Sequence, residues 1–420
     1  MNWIAEILRS KSVRVIVYLD DFLLASQDRA KLTSQIPEEL NFLRSLGWQI
    51  KAQKCILEPC QEIEFLDLVW NTHLNLVRLP NDKVISISET LDRVIKDKSC
   101  TFQQLQSVLG SLNFACFAIH RGRLHCRYLQ LFQREFRQGR QRERRSVQHR
   151  VMDELVWWKE ALSTTTPLHK RPVTHYLTTD AADAGWGAQV NNIHTSGSWT
   201  ARQRSWHSNK KELYAVYASL QEFPQELRNA HILVQSDNRT LVAYINKEGG
   251  TRSIELLDLT FHVLQLDDSM NVTLTAAYLP GRYNGIADRL SRKKPIPEWH
   301  LLIETRNKIF KKWGTPEIDL FASKRSMVVD RYVSLNPKDH RALFIDAFSK
   351  TWKFKLVWVF PPPSLIPRVL AHLNKCQGNY VIIAPMWNQT FWMSNLMNRS
   401  KEPPMEITDL NKVLIDLSTG

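Results

Sequence analysis

The sequence predicts an α/β (α+β) chain, and three observations predict it. Short β-branched and aromatic runs alternate with helix-periodic stretches over 174–292. The same alternation returns over 317–395. Between residues 81 and 160 apolar positions recur at helical spacing instead. A chain of 420 residues has room for two to four domains with their own cores. Proline-bearing stretches at 163–173 and 293–298 read as linkers.

Composition narrows the function classes. A net charge of +14 suits a polyanionic partner. The six cysteines form no CxxC pair, which argues against a zinc finger or a disulfide framework and for a reducing compartment. No run of about 20 apolar residues offers a membrane span, and no signal peptide opens the chain. The expected location is cytoplasmic and/or nuclear.

Taken in order, residues 13–24 place two apolar runs around Tyr18–Asp21. That pattern predicts a β-hairpin with Asp20 and Asp21 at its turn. A solvated turn carries the same residues, because aspartate is common there. Residues 81–160 carry two apolar stripes. One comprises Val84, Ile85, Ile87, Leu91, Val94 and Ile95, the other Phe102, Leu105, Val108, Leu109, Leu112 and Phe117. A Trp157-Trp158 pair closes this stretch. Within it, residues 121–150 hold ten arginines against two glutamates. Arginine fits phosphate bidentately, and each neutralised phosphate releases counterions. Arg121, Arg123, Arg127, Arg140, Arg142, Arg144 and Arg145 are therefore candidate nucleic-acid contacts; a solvated face is the plain alternative. His120, His125 and Cys126 lack a fourth ligand at finger spacing and read as scaffold or phosphate contacts.

The stretch 174–292 carries the chemistry. Thr174–Thr179 reads as a strand ended by Asp180, and the small residues after it let a nucleic-acid backbone come close. Ser208 is the expected N-cap of a helix with Glu212 in its first turn. A strand over 231–235 runs into Asp237. Another over 272–279 leads through Pro280 and Gly281 to a helix with Asp288. Singly, each acid has an ordinary explanation as a cap or a solvated charge. Together, four carboxylates at one sheet edge repel each other and raise each other's pKa. Divalent cations remove that cost. Two Mg2+ (or Mn2+) ions about 3.5–4 Å apart can activate a water and stabilise the leaving oxygen of a phosphodiester.

The order Asp–Glu–Asp–Asp, with TDAADAGWGA, KELYAV, QSDN and LPGRYNGIADRLSR, resembles retroelement ribonuclease H. The last segment is similar to the end of that domain in DIRS-type and gypsy-type retrotransposons. The resemblance implies that Asp180, Glu212, Asp237 and Asp288 ligate two metal ions and that the substrate is RNA in an RNA–DNA hybrid. Tyr278 stands where that family often has histidine. Upstream, YLDD and the run over 42–70 resemble the late palm of a reverse transcriptase. The resemblance implies that Asp20 and Asp21 are metal ligands, and that Lys54 lies on a Lys-Cys strand near nucleic acid. It also implies that Phe65 and Leu66 belong to a primer grip, in which Asp67 replaces the usual glycine. Residues 1–17 hold a single acid, Glu6, so polymerase activity is expected to be lost without an upstream palm and fingers. DLFAS, IDAFSKTW, VFPPPSLI and APMWNQTFW resemble the region after ribonuclease H in DIRS-type elements, related to adenine methyltransferases. Phe360 occupies the activating Asp or Asn position there, and no Gly-rich cofactor turn is found.

The expected organisation is a partial palm over 1–80, a helical thumb and connection over 81–170, a ribonuclease H-like domain over 171–295 and a methyltransferase-like α/β region over 296–420. The expected function is hydrolysis of hybrid RNA. The alternatives are a non-catalytic nucleic-acid-binding remnant and a methyltransferase.

Overall fold

The computed structural model describes residues 2–136, 143–191, 193–293, 298–388 and 390–417. The chain divides into two compact units, Met1–Lys170 and Arg171–Gly420. The expected linker over 293–298 falls mostly outside the described residues.

In the first unit, α1 (Asn2–Ser10) leads into the hairpin of β1 (Arg14–Tyr18) and β2 (Asp21–Ala25). Tyr18 pairs with Asp21, so Leu19 and Asp20 form a two-residue turn. Then come α2 (Arg29–Ser45), β3 (Glu62–Phe65), β4 (Leu68–Asn71) and β5 (Leu76–Arg78). Leu66 and Asp67 turn β3 into β4 with positive φ at both, +53° and +58°. Two-residue hairpin turns demand that backbone, which glycine enters most readily. Aspartate tolerates it, and Lys83 pairs with Asp67 at 3.1 Å.

The helical stretch folds as α3 (Asn81–Asp97), α4 (Phe102–Ala115), α5 (Arg127–Gln133) and α6 (His149–Ala161). Most of the two stripes meets in one core around Leu91, Leu105, Leu112, Leu129, Leu155 and Trp158, but Ile85 and Phe117 face outward and are exposed. Two short strands, β6 (Ser99–Thr101) and β7 (Arg144–Ser146), pair beside it. The expected linker at 163–173 contributes β8 (Thr166–Pro167), which pairs with β5.

The second unit is built on a five-stranded mixed sheet. Its strands are β9 (His175–Ala181), β10 (Gly185–Val190), β11 (Ile193–Ser198), β12 (His231–Ser236) and β13 (Thr273–Tyr278). The order is β11-β10-β9-β12-β13, with β9, β12 and β13 parallel. After β11 come α7 (Ala201–Arg204) and α8 (Ser208–Glu222); α9 (Arg239–Asn246) and α10 (Ile254–Ser269) follow β12, and α11 (Gly285–Ser291) follows β13.

Strand periodicity assigns the two faces. Leu177, Ala188, Val190, Ile232 and Val234 pack against Leu213, Val216, Leu241 and Val263 of α8, α9 and α10. The opposite face carries Thr178, Asp180, Gly187, Gln189 and Gln235, in register with one another. That face is buried although it is polar.

A smaller parallel sheet covers part of it. β14 (Trp299–Leu301) and α12 (Ile303–Trp313) precede β15 (Ile318–Asp319), β16 (Lys353–Val359), α13 (Ile366–Leu373) and β17 (Gln377–Ile382). Then α14 (Met393–Arg399) leads to β18 (Leu414–Asp416), which pairs with β14. The polar face finds its partners here. Ser364 Oγ donates to Gln189 Oε1 at 2.9 Å, and Tyr176 Oη donates to the Pro367 carbonyl at 3.3 Å. Buried polar groups must be paired, and these pairs meet that need for Gln189 and Tyr176.

Candidate active site

Asp180 lies at the end of β9, the central strand of the sheet, and Asp237 directly follows the parallel neighbour β12. Side chains that end adjacent parallel strands converge at one sheet edge. Glu212 comes from α8 over the apolar face. The cap of α8 is His207, not Ser208: its Nδ1 accepts the Asn209 N–H. Ser208 is thus the first helical residue, and Glu212 stands at the start of the second turn. Carboxylate oxygens of Asp180, Glu212 and Asp237 all lie within 4.8 Å of one another. Among the described residues no other group of three metal-ligating side chains gathers so closely.

Electrostatics bear out the crowding. Burial, then Asp180 and Asp237, push the Glu212 carboxyl up to about 9. Glu212 Oε2 is buried and has no hydrogen-bond partner. Burial raises Asp180 as well, with Asp288 and Asp237 adding to it. Ser291 opposes this by donating its hydroxyl to Asp180 Oδ2 at 2.6 Å. Burial raises Asp237, and Asp288 adds to it.

Asp288 is placed differently. It is half-buried on α11, and Arg292 Nε donates to its Oδ1 at 2.7 Å. It acts on Asp180 and Asp237 through space yet stands outside the tight triad. Two glycines set these distances. A β-carbon at Gly187 would come within 2.5 Å of Ala287 O, Leu290 Cβ and Ser291 N, so glycine lets α11 lie directly on β10. A β-carbon at Gly281 would overlap Asp237 Oδ2.

The remaining candidates lie in the first unit. Asp20 and Asp21 are exposed at the hairpin turn, and no third metal-ligating side chain joins them among the described residues. Lys54 ends a single 3-10 turn (Ala52–Lys54) rather than lying on the expected strand, and it is exposed, as is Arg123; Arg121 is buried. Arg127 donates to Gln130 Oε1 at 3.1 Å. Arg144 is bound to Asp97 at 2.8 Å and to Ser99, and Arg145 pairs with Glu143 at 3.7 Å. Arg140 and Arg142 lie outside the described residues. His125 stacks on Trp157, and Cys126 is buried, both as scaffold.

Periodicity in the sequence did not reveal the cleft of ≈1050 Å³ between the polar sheet face and the second sheet. It is lined by Thr178, Gln189, Arg282, Tyr283, Phe360 and Trp387, among others, and takes in none of the four acids. Phe360–Pro363 faces it, and the neighbouring Ser364 is the docking residue for Gln189.

The second unit is therefore a mixed-sheet α/β domain with three carboxylates converging at its parallel edge. Residues 172–258 match the family described as the RNase H-like domain found in reverse transcriptase. The chain is 25% identical over 258 residues to the enzymatic polyprotein of carnation etched ring virus, covering 55% of this chain and 35% of that one. It is 25% identical over 260 residues to the enzymatic polyprotein of cauliflower mosaic virus (strain CM-1841), covering 55% and 34%. It thus spans about a third of the length of these curated relatives. A foamy viral protease-reverse transcriptase solved with an RNA/DNA hybrid aligns at 15% identity and a TM-score of 0.35, over 71% of this chain and 38% of that one. Residues 172–258 thus match an RNase H-like domain of the kind found in reverse transcriptase, and the chain is similar to about a third of the length of pararetroviral enzymatic polyproteins. No described helix is long and apolar enough to cross a membrane.

Proposed function

We propose that the second unit hydrolyses the RNA strand of RNA–DNA hybrids with two divalent cations. One observation carries this reading: three carboxylates of different elements converge within 4.8 Å. The residues fit such ions. Carboxylate oxygens suit Mg2+ or Mn2+, and the unpartnered Glu212 Oε2 is a buried acceptor with nothing to accept from. Asp180, Glu212 and Asp237 would hold the ions, with Asp288 at the rim. When bound, such a pair activates water and stabilises the leaving oxygen. The chain's own residues do the positioning. Ser291 fixes the orientation of Asp180, and Gly281 leaves room for Asp237. A hybrid's wide minor groove with exposed 2′-hydroxyls is the feature such a site would read.

We assign the domain to a DIRS-type or gypsy-like element on its LPGRYNGIADRLSR segment, and place its work in the cytoplasm and/or nucleus. The first unit we read as late palm (1–80) and thumb with connection (81–170), inactive as a polymerase. Residues 296–420 we read as a methyltransferase-like packing layer, because the Phe360–Pro363 loop leads into a docking contact. A second reading, a binding remnant without turnover, draws on Tyr278 and on the pairing of Asp288 with Arg292.

Cleavage of a labelled hybrid in Mg2+ separates the two. Asp237→Asn should abolish cleavage and leave folding intact, since it removes one charge from a crowded cluster. Cleavage by that variant at the parent rate would sink the metal-site reading. Primer extension by the chain, lost in Asp20→Asn, would sink the polymerase reading.

A further inference from the structure

Arg239 stands two residues after Asp237 and Arg282 follows Gly281, the glycine packed against the Asp237 carboxylate, and each guanidinium carbon lies over a tyrosine ring. That of Arg239 lies 4.4 Å from the Tyr278 ring centroid. That of Arg282 lies 4.6 Å from the Tyr283 ring centroid. Both arginines are exposed.

The neighbouring cations are already paired: Arg292 with Asp288, Lys211 with Asp183 and Lys210 with Glu255. Arg239 and Arg282 have no acidic partner among the described residues. Stacking engages the face of a guanidinium and leaves its in-plane N–H donors unspent. It also holds the side chain in place, so less freedom is lost when a ligand binds. Tyr283 is itself fixed, being 5% exposed and stacked on Trp387 beyond β17. The chain Arg282–Tyr283–Trp387 ties one arginine to the second sheet.

We propose that Arg239 and Arg282 form a two-point clamp for backbone phosphates of the strand presented to the carboxylates, and that Trp387 braces the second point through Tyr283. This rests on the reading that the carboxylate site acts on nucleic acid. The fork of an arginine matches phosphate, and phosphate contacts fix register without reading bases. Positive charge on the path to an anionic cluster favours the approach of a polyanionic backbone. The clamp also gives Tyr278 a role in this chain: it is the platform on which Arg239 lies.

The test uses the full chain, a fluorescent RNA–DNA hybrid and a matching DNA duplex. Binding is measured by anisotropy over a salt series in Ca2+, and cleavage in Mg2+. In Arg239→Gln and Arg282→Gln the slope of log K against log salt should fall by roughly 0.7–0.9 each, and by about 1.5 in the double variant. KM should rise more than kcat falls. Lysine at either position should restore the slope, because it restores the charge. Trp387→Leu should weaken binding in the parent and add little once Arg282 is Gln, as expected of residues acting through one contact. Both arginines are exposed, so melting temperatures should stay close to the parent's.

A double Gln variant with the parent's slope and affinity would overturn the clamp while leaving the hydrolase reading in place. A parent that binds and is loosened by these changes, but whose cleavage survives Asp237→Asn, would uphold the clamp and overturn that reading. A parent that binds neither nucleic acid would overturn both.

Discussion

The Asp237 carboxylate is packed against Gly281 so closely that a β-carbon at 281 would overlap its Oδ2. The φ of Gly281 is not in the left-handed region, so the requirement is one of space rather than of backbone freedom. Gly281→Ala should fold, because the loop is at the surface, but it should move Asp237 off its place. A displacement of about 1 Å at a metal site can cost about 100-fold in rate. We expect kcat/KM for the hybrid to fall by roughly that factor with a small change in melting temperature. Activity within threefold of the parent would mean that Asp237 need not sit where it does.

Gly187 should respond in the opposite way. Its missing side chain is what allows α11 to rest on β10, and the atoms in the way are mostly backbone. Gly187→Ala should cost about 1–3 kcal/mol by overpacking. Urea denaturation measures this directly. A midpoint equal to the parent's would show that α11 can shift without loss.

Glu212 makes the metal-free protein pH-sensitive. Its folded pKa, about 9, lies above its ordinary 4.5, so the folded state binds more protons across that window. The stability tied to this proton is fully present below the ordinary value and is lost as pH rises towards 9. In EDTA the melting temperature should therefore fall from pH 5 to pH 9, and Glu212→Gln should flatten the fall. Mg2+ should reverse the trend, because cations compete with protons for the same oxygens. A parent and a Gln variant with parallel pH profiles would contradict the burial of this charge.

Asp288 and Asp180 should not be equivalent. Asp180 is in the triad, whereas Asp288 is paired with Arg292 and half-buried. Asp180→Asn should abolish cleavage, while Asp288→Asn should leave a measurable fraction, restored further by raising Mg2+. Equal losses in single-turnover assays would place Asp288 among the triad's equals.

Ser364 tests the second sheet's attachment. Ser364→Ala would remove the donor to Gln189 Oε1, which is buried with its residue. An acceptor left without its donor costs about 1–3 kcal/mol. Calorimetry should show one lowered transition for the whole second unit. Loss confined to residues beyond 298 would mean that the two sheets fold apart.

The hairpin at 14–25 and the strands that lead into Asp180 and Asp237 follow from local pattern alone. Alternation, capping residues and turn residues act over a few positions, and these segments obey them. The positions of Asp180, Glu212, Asp237 and Asp288 at strand ends and on helices were legible too, because each is marked by its neighbours. Which acids meet was not. That Arg292 draws Asp288 aside, that Ser291 holds Asp180, and that His207 caps α8 depend on distances between elements far apart in the chain or on a rotamer choice. Nor did alternation explain why Thr178, Gln189 and Gln235 are polar on a buried face. A second sheet supplies the partner for Gln189, and only packing brings it there. Arg239 and Arg282, which have no acidic partner among the described residues, are of the same kind: charge is written in the sequence, but whether a charge is spent is decided by what folds next to it.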